Sequence, residues 1–118
     1  MEERLQKALE FANYRQTLNN QLQKLKIRSE GNLIFAKNGG SFTISKELIG
    51  FLDYLERTGA TEVVLLDDNN TPVAISNVPE FLKDVTKRYF EVTTDYLKEY
   101  QEIRKARNVK SILDLKDE

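Results

Sequence analysis

The sequence predicts an α+β fold: a long helix, then two β-hairpin-plus-helix units, in the order α-ββ-α-ββ-α. The four strands are expected to form one antiparallel sheet with helices packed on it. Three observations carry this reading. Residues 2–28 contain neither Gly nor Pro and repeat leucine at near-helical intervals. Asn38-Gly39 lies between two short runs with strand character, and this dipeptide accepts the positive φ angles of a tight hairpin turn. Finally, "VVLLDDNNTPVAIS" (63–76) resembles "LIFAKNGGSFTIS" (33–45), with Ala74-Ile75-Ser76 aligned on Thr43-Ile44-Ser45. Two units of one plan follow, whether by duplication or because hairpins impose similar turn residues and strand alternation.

The elements follow in order. In the first helix Leu5, Leu9, Ala12, Leu18, Leu22 and Leu25 form a stripe widened by Phe11 and Tyr14, and the helix should stop before Gly31. Residues 33–37 and 42–45 make the first hairpin. Ser45 then caps a helix from Lys46 to about Arg57, with Leu48, Ile49, Leu52 and Leu55 facing the core, until Gly59 breaks it. Residues 62–66 and 73–76 make the second hairpin, with Pro72 at a strand start or on an edge because it has no N–H for a ladder. Asn77 and Pro79 mark the start of the last long helix, which runs to about Arg107. Ser111 and Asp114 have capping-box spacing, so a short final helix or a tail closes the chain. The organisation expected is a single domain: 1–30 N-terminal helix, 31–58 first hairpin-helix unit, 59–107 second hairpin and long helix, 108–118 short C-terminal helix or tail.

Composition narrows the function. The chain has 118 residues, 18 basic against 19 acidic, with 40% hydrophobic and 31% charged, the mix of a folded domain with a well-solvated surface. Nearly balanced charge supplies no global field toward nucleic acid or an anionic membrane, so such binding would need a local patch. The absence of Cys removes disulfides, zinc-thiolate sites and a thiol nucleophile; the absence of His removes the usual base poised near neutral pH. A non-enzymatic protein without cofactor is expected. The charged N-terminus lacks a signal-peptide core and no apolar run approaches a membrane span, so the expected location is the cytoplasm.

Two features point to a partner. Val63 to Leu66 are consecutively apolar, as in a strand buried on both faces, so the N-terminal helix, the end of the last helix or a second copy should cover the outer face. The last helix, roughly 27 residues spanning about 40 Å, exceeds what one small domain needs. Its Val85, Tyr89, Val92, Tyr96 and Ile103 follow a heptad and form the candidate interface of a dimer or larger assembly. The alternative is that this helix wraps its own sheet, with the aromatic residues as core.

Other constellations are weaker. Asp67 to Thr71 offers oxygen ligands but lacks the spacing, glycine and glutamate of a calcium loop, and reads as a solvated turn. Gly39-Gly40 is followed by a strand, which removes the helix N-terminus of a phosphate cradle. Lys98, Arg104, Lys105, Arg107 and Lys110 could form a nucleic-acid patch with Tyr96 or Tyr100 stacking on a base, although cations near a helix C-terminus also answer its dipole. The segment after Asn108 is acidic and apolar, suited to folding back on its domain or to docking in a partner's groove.

The runs "KALEFANYRQTL", "FAKNGGSFTIS" and "KARNVKSILDL" resemble small proteins of T-even-type tailed phages, including those of marine cyanobacteria. The resemblance covers most of the chain without a diagnostic motif. It implies an accessory or assembly factor in the host cytoplasm and carries over no site residue. The functional expectation is a small accessory or assembly protein acting through protein contact and self-association; the alternative is nucleic-acid binding by the basic cluster.

Overall fold

A computed structural model describes the backbone of residues 2–116 and the side chains of residues 2–106. The order of elements is α1 (Glu2–Asn32), β1 (Ile34–Lys37), β2 (Gly40–Thr43), α2 (Lys46–Arg57), β3 (Val63–Leu66), β4 (Pro72–Ile75) and α3 (Val78–Lys116). The α+β class and the two hairpins are as expected. The chain divides into two compact units, one comprising Ser29–Thr94 and the other Met1–Arg28 together with Asp95–Glu118.

The Ser29–Thr94 unit holds both hairpins, α2 and the first part of α3. Asn38 (φ 50°) and Gly39 (φ 82°) make the turn between β1 and β2, which pair antiparallel with Phe35 opposite Phe42. Ser45 caps α2 by accepting the Leu48 N–H at 3.1 Å. Gly59 ends it with φ 81°, its N–H reaching Glu56 O while the Ala60 N–H reaches Leu55 O, a Schellman pair that satisfies two terminal carbonyls. β3 and β4 pair with Val63 opposite Ile75 and Leu66 opposite Pro72, so the proline opens its strand. Asn77 accepts the Glu80 N–H and starts α3. The core gathers Phe42, Ile44, Leu52, Val73, Ile75, Val78, Phe81 and Val85, with Phe81 edge-on to Phe42 at 5.5 Å between centroids.

The expected four-stranded sheet is not formed: β1-β2 and β3-β4 are two separate two-stranded sheets. The reason lies at the free edge of β2. In the antiparallel register Ser41 and Thr43 turn their backbone groups away from β1. A strand could have met them there, but the turn after β3 does so instead. Asp67 accepts the Ser41 N–H at 3.0 Å, Asp68 accepts the Thr43 N–H at 3.0 Å, and the Asp68 N–H donates to Ser41 O at 2.9 Å. Two carboxylates and one amide thereby close an edge that would otherwise recruit another strand.

Two boundaries also differ. α1 passes through Gly31 to Asn32, with Leu33 N–H bonded to Glu30 O, because a glycine in the last turn has no buried contact to lose. The backbone of α3 stays helical through the expected break at Asn108 as far as Lys116, whereas the Ser111 and Asp114 side chains lie outside the described residues.

In the unit formed by Met1–Arg28 and Asp95–Glu118, Leu25 is buried, and Leu18, Leu22, Tyr96 and Ile103 are half-buried. Arg28 pairs with Glu99. Leu5, Leu9 and Phe11 stay exposed, so only the later part of the α1 stripe is used. Among the described residues no helix is long and apolar enough to cross a membrane.

Candidate functional site

Among the described residues, the outer face of the second hairpin exposes large apolar side chains. Strand alternation turns Val63 and Leu65 inward, where they pack against the core, and Val64 and Leu66 outward. Val64 is 67% exposed and Leu66 63%. On the first hairpin Ile34 is similarly exposed, while Phe35 is half-buried beneath the Arg88 guanidinium, 5.7 Å from its ring. The apolar run Val63–Leu66 therefore has one covered face and one bare face.

The candidate interface on α3 lies elsewhere. Val85 is fully buried in the hairpin core, Val92 is buried, and Tyr89 packs half-buried against the core. These three side chains belong to the chain's own packing, which places the heptad stripe inward at this end of α3. Tyr96 and Ile103, in the other unit, are half-buried. The outward residues on α3 are instead Phe90, Leu97 and Tyr100.

Of the basic cluster, Lys98, Arg104 and Lys105 are exposed, while the Arg107 and Lys110 side chains lie outside the described residues. Lys98 and Lys105 are seven residues apart and share a helix face, with Arg104 one step around. Tyr96 and Tyr100 stack at 6.3 Å, with Tyr100 partly open to solvent.

Asp67 was legible only as a turn residue, yet it is buried and holds three backbone N–H groups. Its Oδ1 accepts from Asn69 and Thr71 at 2.9 and 2.8 Å, and its Oδ2 from Ser41. These bonds, Ser41 foremost, hold its carboxyl below the usual carboxylate range, against the opposing effect of burial. The turn is thus a structural anchor, with its oxygens committed to backbone donors. Among the described residues no group of three or more carboxylates could hold a metal ion.

A groove of about 1020 Å³ runs between α2 and the start of α3. Ile49, Leu82 and Phe90 give it an apolar lining, Lys46 and Lys83 flank it, and Gly50 leaves part of its wall without a side chain.

Compared with protein-family models, curated proteins and solved structures, the chain matches none.

Proposed function

We propose that this protein is a non-enzymatic accessory or assembly factor that acts through protein contact and self-association, in a phage-infected host cytoplasm if the resemblance in its sequence holds. One observation carries the reading: Val64 and Leu66, both on the outer face of the second hairpin, stand exposed. Each such side chain, when buried, contributes roughly 1.5–3 kcal/mol. Contiguous exposed apolar surface of this kind is a hallmark of interaction sites. The lack of His and Cys leaves the usual nucleophile-base pairs without their members, which supports a binding role. The partner is a second copy of the chain, whose identical hairpin face would be self-complementary across a two-fold axis. The test is absolute mass by light scattering across protein concentration: a dimer or larger species supports the reading, and a monomer at every concentration rejects it.

A second reading rests on Lys98, Arg104 and Lys105, which stand exposed beside the stacked Tyr96–Tyr100 pair. Here the protein binds single-stranded nucleic acid through phosphate contacts and base stacking. Its test is fluorescence anisotropy with DNA and RNA oligonucleotides at low and high salt. Affinity that drops steeply with salt, and with charge reversal at Arg104, supports it; no binding at low salt removes it.

A further inference from the structure

Two two-stranded sheets have four edges, and three of these are closed or guarded. The edge of β2 is met by Asp67 and Asp68. On β4, Pro72 has no N–H to offer and Ala74 O accepts from Asn38 Nδ2 at 2.8 Å. Each hairpin thus closes the other's inner edge with turn residues. β1 carries Lys37 and has the Arg88 guanidinium over Phe35, and charge on an edge strand deters a further strand. β3 has none of these devices. Its residues are Val63, Val64, Leu65 and Leu66, and among the described residues its one strand neighbour is β4.

The ladder fixes the direction of its free backbone groups. Asp67 N–H bonds to Thr71 O at 2.9 Å, so by alternation Leu65 and Val63 exchange bonds with Val73 and Ile75. The N–H and C=O groups of Val64 and Leu66 then point away from β4. The side chains of the same two residues are exposed. Backbone donors, backbone acceptors and apolar side chains therefore meet along one edge.

We infer that β3 pairs antiparallel with β3 of a second copy, joining two hairpins into a four-stranded sheet across a two-fold axis. This rests on the self-association reading and gives it a geometry. An uncharged strand edge with alternating donors and acceptors is its own complement under a two-fold rotation. Charge selects the register. With Val64 opposite its counterpart, Leu66 faces the second copy's Glu62 and no two acids oppose; a shift of two residues would set Glu62 against Asp68, like charge on like. Shape agrees with that choice. A hollow of about 440 Å³ beside Val64, bordered by Glu62, Ala74 and Ser76, lies on the cross-strand row that takes the second copy's Leu66.

The test is cysteine cross-linking of the full chain, joined to the mass of a proline variant. The chain has no cysteine, so an introduced one reports only its own counterpart. In this pairing the two Val64 Cα atoms lie about 5.5 Å apart, within disulfide reach, whereas the two Leu66 and the two Ala74 are each about 14 Å apart. Under mild oxidation Val64→Cys should become a covalent dimer, while Leu66→Cys and Ala74→Cys should not. Val64→Pro removes an N–H that lies outside the internal ladder, so circular dichroism should show an intact fold. Its dimer dissociation constant should rise at least about tenfold, because two symmetry-related donors are lost. A wild-type monomer overturns this pairing and the self-association reading together. A wild-type dimer in which Val64→Cys fails to cross-link, Leu66→Cys or Ala74→Cys links as fully, or a folded Val64→Pro associates unchanged overturns the pairing alone.

Discussion

The carboxylate of Asp67 accepts the backbone N–H of Ser41 at 3.0 Å, joining residues 26 apart in sequence and two hairpins that share no ladder. Asp68 repeats the device one residue on, taking the Thr43 hydroxyl at 2.6 Å as well as its N–H. The hairpins are therefore held by side chain to backbone bonds on one side and by the Phe42–Phe81 core on the other.

Asp67→Asn should lower stability without changing the denaturant slope. The amide keeps one oxygen for Asn69 and Thr71 but turns an NH₂ toward the Ser41 N–H, setting donor against donor. Equilibrium denaturation should show a lower midpoint than wild type; an unchanged midpoint would mean that the anchor contributes nothing.

The same residue sets an acid dependence. Its folded carboxyl titrates below its unfolded value of about 4, so the charged form is favoured by folding. That stability is fully present above the unfolded pKa and is lost as pH falls through the lower folded one. Melting temperature followed from pH 6 downward should fall more steeply in wild type than in Asp67→Asn. Parallel curves would contradict the assignment.

Gly40→Ala should destabilise by about 1–3 kcal/mol, because the new Cβ would overlap Val73 in the buried face between the hairpins. Denaturant unfolding measures this directly. The opposite outcome, a neutral Gly40→Ala, would show that β2 and β4 can part without loss.

Val92→Glu should impair folding as well as any association, since Val92 is only 8% exposed and taking a carboxylate out of water there is costly. Circular dichroism melting distinguishes a lowered transition from a fold that is intact but altered in mass.

Much of the local structure was legible because it rests on neighbouring residues. Asn38-Gly39, the Ser45 cap, Gly59 and the strand-opening Pro72 each act within a few positions. The division into two sheets was not legible, because it depends on Asp67 and Asp68 reaching Ser41 and Thr43 across a long sequence separation. "DDNNT" carries the composition of any solvated turn, and composition does not show which backbone its carboxylates will meet. The heptad on α3 was read with the right spacing, but periodicity does not tell an inner stripe from an outer one. Val85 and Val92 therefore looked like an interface and lie inside. The alternation at Val63–Leu66 was hidden by four apolar residues in a row, so the bare face at Val64 and Leu66 emerged only with the fold.

The most direct measurement is the absolute mass of the full chain by light scattering on a sizing column, for wild type and for Val64→Glu with Leu66→Glu. Both positions are exposed, so the variant should remain folded by circular dichroism. Self-association through the hairpin face predicts a wild-type mass at least twice the 13.7 kDa of one chain, and a shift toward monomer in the variant. A wild-type monomer, or an oligomer whose mass the two charges leave unchanged, would contradict it.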